Sequence, residues 1–219
     1  LNFSFDQFAK NPEIAEKMKD FILKADFGIV DIKVGEIMVL VKQSKNTPDD
    51  FKGKLLKEES MVAERSIDLL HKKHDENKKE VDSVSLNFFA EESDGAQRMF
   101  CLSAPVIDTL LGGKILFIDE IETSLHPILC QYLVSMFNSI EKNPNNAQLV
   151  FTTHNLSLLS ENFLRRDQIY FTEKNKWGST NLFSLADISE RKGVDFAKRY
   201  LDGRYDALPY LSDYENLKF

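Results

Sequence analysis

Asp119 and Glu120 follow four apolar residues, Ile115-Leu116-Phe117-Ile118. The run has the character of a buried strand. Acids leaving the C-terminal edge of a strand in an open α/β sheet stand where such sheets take their ligands. Asp119 there can hold Mg²⁺, a hard cation that favours a few carboxylates together with phosphates. Glu120 can polarise an attacking water as a general base. Taken alone, the pair also reads as two solvated acids at a strand end. Leu149-Val150-Phe151-Thr152-Thr153-His154 is a second apolar run that ends in polar groups. If the two strands are neighbours, His154 lies beside the acids and can contact a γ-phosphate; otherwise it is a satisfied core or turn histidine. A third group, Glu92-Ser93-Asp94-Gly95-Ala96-Gln97-Arg98, opens an apolar helix. Ser93 suits an N-cap. Gly95 removes a side chain near a helix N-terminus, where backbone N–H groups favour an anion. The plainer reading is a capped helix.

The elements that must position these groups follow from patterning. Residues 1–27 read as helical, with Asn11-Pro12-Glu13 as a start signal and Ile14, Met18, Phe21, Ile22 and Leu23 as an apolar stripe. Gly28 to Val41 reads as two strands with a turn at Gly35-Glu36. Residues 42–80 are dominated by Lys and acids and read as an exposed insertion, with turn chemistry from Gln43 to Lys52 and a solvated helix from Lys54 to His71. Val81 to Ala90 is strand-like. A helix from Gln97 to Leu111 should end at Gly112-Gly113. The buried strand Ile115–Ile118 follows, then a helix from Pro127 to Glu141 stopped by Asn143-Pro144-Asn145-Asn146. A strand from Gln148 to Thr152, a helix from Asn155 to Leu164 and a strand from Gln168 to Glu173 complete the order. Strands alternating with helices argue for an α/β layer with a parallel sheet.

Composition excludes several classes. At 42% apolar and 11% aromatic residues, the 219-residue chain has ample material for a core, so disorder over most of its length is excluded. No stretch approaches about 18 uncharged apolar residues, so nothing is expected to span a membrane. Two cysteines, Cys101 and Cys130, exclude a disulfide scaffold and fit a reducing, cytoplasmic setting. A net charge of −7 argues against a general nucleic-acid binder, although a local basic patch stays open. The first residue is Leu and no signal segment follows, so the chain is expected to begin within a longer protein.

The order of the motifs carries more than each alone. A Ser-x-Gly-x-Gln helix start, a strand ending in Asp-Glu and a strand ending in Thr-His resemble the second half of an ABC-type ATPase head. In that resemblance Ser93 to Arg98 corresponds to the signature motif, Ile115 to Glu120 to Walker B, and His154 to the switch histidine. Ser124-Leu125-His126-Pro127 stands where such heads carry the D-loop. The strings Glu-Ser-Asp-Gly-Ala-Gln-Arg, Ile-Asp-Glu-Ile-Glu-Thr-Ser-Leu-His-Pro and Phe-Thr-Thr-His-Asn resemble the AAA-type ATP-binding proteins of the RloA kind. These are relatives of SMC proteins and OLD-family ATPases found in restriction and phage-defence loci. The segments Arg165–Lys174 and Arg199–Tyr205 agree with that branch. The resemblance covers residues 81–210, and 1–42 loosely.

The resemblance implies a P-loop NTPase fold: the C-terminal lobe of an ABC-type head over residues 81–219, preceded by a helical and strand arm with a charged insertion over 1–80. It implies ATP and Mg²⁺ as cofactors. Asp119 would order Mg²⁺, Glu120 would activate water and His154 would sense the γ-phosphate. Ser93 and Gly95, with Gln97 and Arg98 in support, would close over ATP held by a second head of a homodimer, with Ser124 at the seam. An effector, such as a nuclease, would be the downstream partner; DNA is not supported by the net charge. A non-hydrolysing scaffold or sensor is the alternative. One part of the pattern is missing. A Walker A loop needs Gly-x-x-x-x-Gly-Lys-Ser/Thr. Only Gly53-Lys54 and Gly113-Lys114 pair Gly with Lys; Leu55 and Ile115 follow them, and no Gly stands five positions earlier. The family carries this loop in an N-terminal lobe, which the chain is expected to lack.

Other candidates are weaker. His71 and His74 have helical i, i+3 spacing and acids behind them, which could hold a metal, although a solvated charged insertion is the favoured account because Lys and acids surround both. Glu122 reads as an outer acid or a loop acid near the Asp119-Glu120 edge. Arg165 and Arg166 read as a solvated helix end or as contacts to nucleic acid or a partner. Tyr200, Tyr205 and Pro209 are expected to pack a C-terminal helix onto the sheet.

Overall fold

A computed structural model describes residues 1–25, 28–42, 59–160, 163–175, 177–190, 193–205 and 207–208, with the backbone alone for 36–42 and 59–64. Two compact units divide the chain, Leu1–Leu116 and Phe117–Phe219.

The first unit opens with two helices, α1 (Asn2–Lys10) and α2 (Pro12–Leu23). Pro12 sits at the first helical position, and the Asn11 side chain accepts from the Ile14 N–H at 3.3 Å. Three antiparallel strands follow in the order β1 (Ile29–Lys42), β2 (Glu59–His74) and β3 (Glu80–Asn87). β1 is one continuous strand; the turn expected at Gly35-Glu36 is not there. Its residues pair instead with Ser66 and Arg65 of β2. Gly-Glu is a weak turn signal, and cross-strand pairing overrides it. The helix expected from Lys54 to His71 is likewise strand where the chain is described, from Glu59 onward. Ile67 and Leu69 alternate onto the buried face, with no exposure at either. That period of two is masked in the sequence by the surrounding charges. A register shift between Ile29 and Asp31 lets Ile29 and Ile32, three residues apart, face the same core. The turn expected over Gln43–Lys52 lies outside the described residues.

The longest helix, α3 (Asp94–Gly112), packs on α1 and α2. Ser93 caps its start, accepting from the Ala96 N–H at 3.2 Å. Gly113, in the left-handed region at φ 59, ends it. Met18, Ile22, Met99 and Phe100 are fully buried, and Phe100 meets Phe88 edge-on at 5.2 Å. Pro105 lies inside α3 and has no N–H for the Cys101 carbonyl one turn back. The buried Ser4 hydroxyl donates to that carbonyl at 2.8 Å. A helix defect that would leave a polar group unsatisfied is thus repaired from α1.

The remainder of the chain carries β4 (Ile115–Ile118), α4 (Pro127–Asn138) and β5 (Gln148–Phe151). β4 and β5 form a two-stranded sheet. The Thr152 N–H donates to Ile118 O and the Thr152 carbonyl accepts from the Ile121 N–H, both at 3.1 Å. Bonds that bracket one residue between two on its neighbour have the slanted pattern of parallel strands. Cys130, Leu133 and Val134 form the buried stripe of α4. The two strands are not the wholly buried runs expected. Ile118 is buried, but Phe117 is 73% exposed, and Ile115 and Val150 are also exposed. With one face covered, alternation decides burial rather than apolar character. Among the described residues the parallel layer is limited to this pair, because the other two sheets described are antiparallel.

Beyond β5, the helix expected from Asn155 is a single 3₁₀ turn, Leu156–Leu158, among the described residues. β6 (Tyr170–Lys174) and β7 (Thr180–Ser184) form a hairpin, and α5 (Phe196–Leu201) follows. Ile169, Phe171, Leu185, Phe196 and Tyr205 make the local core. Tyr200 and Tyr205 stack on Phe171 at 5.7 and 4.9 Å between centroids. These tyrosines, expected to pack a C-terminal helix onto the sheet, pack against Phe171 of the separate β6–β7 hairpin, and Pro209 lies outside the described residues. Arg166 is half-buried, and its guanidinium is engaged within the fold, donating to the Leu185 and Ile188 carbonyls. Arg165 pairs with Asp167 at 2.9 Å on the surface.

Candidate functional site

The sequence-predicted residues fall into two groups, one in each unit. Asp119, Glu120, Ser124 and His154 belong to the second. β4 ends at Ile118, so Asp119 and Glu120 emerge at its C-terminal edge. β5 ends at Phe151, so Thr152, Thr153 and His154 emerge at the same edge of its parallel neighbour.

Thr152 joins the two edges. Its hydroxyl donates to Asp119 Oδ1 at 2.6 Å and accepts from the Glu120 N–H at 2.8 Å. With its own N–H and carbonyl bonded to Ile118 and Ile121, every polar group of Thr152 is engaged. Glu120 has φ 46 and Ser124 has φ 59, both in the left-handed region that side chains beyond Gly rarely adopt. Such strain persists only where the surroundings over-determine it, and it clusters at working sites. For Glu120 the surroundings are the Thr152 hydroxyl, the Thr123 N–H on its carbonyl at 2.9 Å, and the Thr123 hydroxyl on Oε2 at 3.2 Å.

Glu122 does more than the sequence disclosed. Its carboxylate accepts from the Thr153 hydroxyl at 2.7 Å and from the His154 N–H at 2.5 Å. One acid after β4 therefore holds the backbone that carries His154, whose own residue is exposed. Burial works to raise the Glu122 carboxyl, but the His154 N–H and the Thr153 hydroxyl together hold it below its ordinary 4.5. No spacing rule could have revealed this, because the partners lie 31 and 32 residues away.

That shift has a pH signature. The folded state holds the Glu122 proton less tightly than the unfolded chain does, so its contribution is complete above the ordinary value of 4.5. It is lost as pH falls through the lowered folded value. Glu122→Gln should lower stability at neutral pH and flatten the acid limb of the stability profile below pH 4.5. Urea titrations of both proteins between about pH 3 and about pH 7 measure this. Parallel acid limbs would show that Glu122 is not clamped.

Hard oxygen donors at one strand edge, Asp119 backed by Thr152 with Glu120 adjacent, fit a Mg²⁺ ion. The triphosphate is a different matter, since no Gly-x-x-x-x-Gly-Lys-Ser/Thr loop occurs in the sequence.

The first unit carries Ser93, Gly95, Gln97 and Arg98 at the start of α3. The Ser93 hydroxyl is used as the cap, and the residue is exposed. Gln97 reaches back to donate to the Glu92 carbonyl at 3.2 Å. Arg98 Nε is buried without a hydrogen-bond partner.

A family model described as an AAA domain, putative AbiEii toxin of a type IV toxin–antitoxin system, matches residues 19–160. The matched stretch is well over half of the chain and spans Ser93–Arg98, Asp119–Ser124 and His154. The chain belongs to this AAA family. Membership places it in a family of AAA, P-loop ATPase type, and the described elements are of mixed α/β construction, although the 219-residue sequence holds no P-loop motif. No curated protein matches the chain. Among the described residues of this AAA domain, no helix is long and apolar enough to cross a membrane.

Proposed function

We propose that this AAA domain supplies the hydrolytic part of a composite ATP site in a head of the ABC- and SMC-related, RloA- or OLD-like kind. The observation that carries the reading is the Thr152 junction, which locks the Asp119-Glu120 edge to the edge bearing His154. Asp119 would hold Mg²⁺, whose charge offsets that of the phosphates when bound. Glu120 would accept a proton from water, and His154, oriented through Glu122, would meet the γ-phosphate. Ser93 and Gly95, supported by Gln97 and Arg98, would face the nucleotide of a second copy, with Ser124 at the seam. Phosphoryl transfer is catalysed chiefly by positioning and electrostatics, so a donor shell divided between two heads makes turnover depend on their assembly. A role in gating an effector during phage defence is part of this proposal; the family's description, a putative toxin of a type IV toxin–antitoxin system, supports a toxin–antitoxin setting and nothing finer.

The test is Mg²⁺-dependent ATP turnover by the full-length protein that carries this chain, against the 219-residue chain alone. Turnover should appear in the former and rise more than linearly with protein concentration. The chain alone should bind ATP weakly, because it has no Walker A loop. Tight, Mg²⁺-dependent ATP binding by the chain alone would overturn the composite-site reading.

A further inference from the structure

The His71/His74 pair, a candidate metal site by sequence, has another use. Both residues lie on β2, where positions three apart face opposite sides, so the helical spacing that suggested a shared ligand does not apply. Among the described residues no group of three or more His, Cys, Asp or Glu is arranged to hold a metal. His71 turns inward instead. Its Nε2 is hydrogen-bonded to Glu92 Oε1, and the two side chains are 18% and 4% exposed. Gly28, at φ +70, faces the other side of the ring; a Cβ there would lie 3.9 Å from His71 Nδ1. The Gly28 carbonyl accepts from the Lys72 N–H at 3.3 Å, which ties β2 to that glycine.

Glu92 is the residue before Ser93. Its N–H donates to the Asn87 carbonyl at 3.2 Å, and its own carbonyl accepts from Gln97 Nε2 at 3.2 Å. The loop that leads to it is built the same way: Asn87 Oδ1 accepts from the Phe89 and Ala90 N–H groups, both at 3.1 Å. A carboxylate this buried is costly unless it is paired. His71 is the side chain that pairs it. Swinging Glu92 away from His71 would therefore move the cap residue next to it.

We propose that His71 is a positioning residue: acting through Glu92, it fixes the backbone from Glu92 to Gln97 and so aims the Ser93 hydroxyl and the Gly95 backbone. This rests on the reading of Ser93 and Gly95 as groups that face the nucleotide of a second head. His71 touches no substrate in this arrangement.

Two measurements on His71→Ala, His71→Gln and Ser93→Ala test it. The first is ATP-driven association of the full-length protein. His71→Ala should weaken it about tenfold or more, as a displaced positioning group does. His71→Gln, which retains an N–H donor, should recover most of that loss. The second is amide hydrogen exchange in the 219-residue chain. His71→Ala should speed exchange at Ala96 and Gln97 about tenfold and leave Ile67 and Leu69 unchanged. If Ser93→Ala weakens association and His71→Ala does not, the inference is overturned while the reading of Ser93 stands. If Ser93→Ala has no effect, the reading of Ser93 fails and the inference falls with it. Faster exchange throughout, including Ile67 and Leu69, would mark His71 as a general support of the fold and would also overturn it.

Discussion

Glu120→Gln in the full-length protein is expected to cut Mg²⁺-dependent ATP turnover by about 10²–10⁴-fold while leaving ATP-driven assembly in place. The substitution keeps the shape of the side chain and an oxygen for the Thr123 hydroxyl, 3.2 Å away in the wild type. It also leaves the backbone bonds of residue 120 to Thr152 and Thr123 untouched. What it removes is the ability to take a proton from water. The left-handed backbone at Glu120 costs of order 1–3 kcal/mol and is held by several independent hydrogen bonds. Single-turnover and steady-state phosphate release, measured alongside light scattering, separate the two effects. Turnover within about threefold of wild type would remove Glu120 as the base. ATP-dependent assembly without measurable turnover in the wild type would favour a scaffold or sensor.

Phe171→Ala should destabilise the C-terminal cluster by about 3–5 kcal/mol. Phe171 is 7% exposed and lies within a core of Ile169, Leu185, Phe196 and Tyr205. Its ring is stacked by Tyr200 on an interplanar angle of 16° and by Tyr205 on 24°. Aromatic pairs of this kind contribute beyond the area they bury. Truncation would leave a cavity flanked by two tyrosines that the short α5 cannot close by itself. Native-state hydrogen exchange at Phe171 and Leu185 reads the loss directly. A change below about 1 kcal/mol would mean that the cluster refills the space.

Much of this protein is local and was therefore legible in order. Asn11-Pro12 starts α2, Ser93 caps α3 and Gly113 ends it, because caps and left-handed stops depend on neighbours within one turn. The Asp119-Glu120 and Thr152-Thr153-His154 groups were legible as strand ends, because apolar runs bounded by polar residues bear that mark. The strands that were misread share one reason: strands are decided by partners distant in sequence. β2 buries Ile67 and Leu69 within a charged segment that reads as a solvated helix, and β1 passes through Gly35 because Ser66 lies opposite. The same distance concealed the side-chain links. Ser4 repairs the carbonyl freed by Pro105, His71 pairs with Glu92, and Glu122 holds the backbone of His154. Residue type and spacing determined which groups can do chemistry. Tertiary structure decided which of them are held and by what, because a hydrogen bond between residues tens of positions apart exists only once the chain has brought them together.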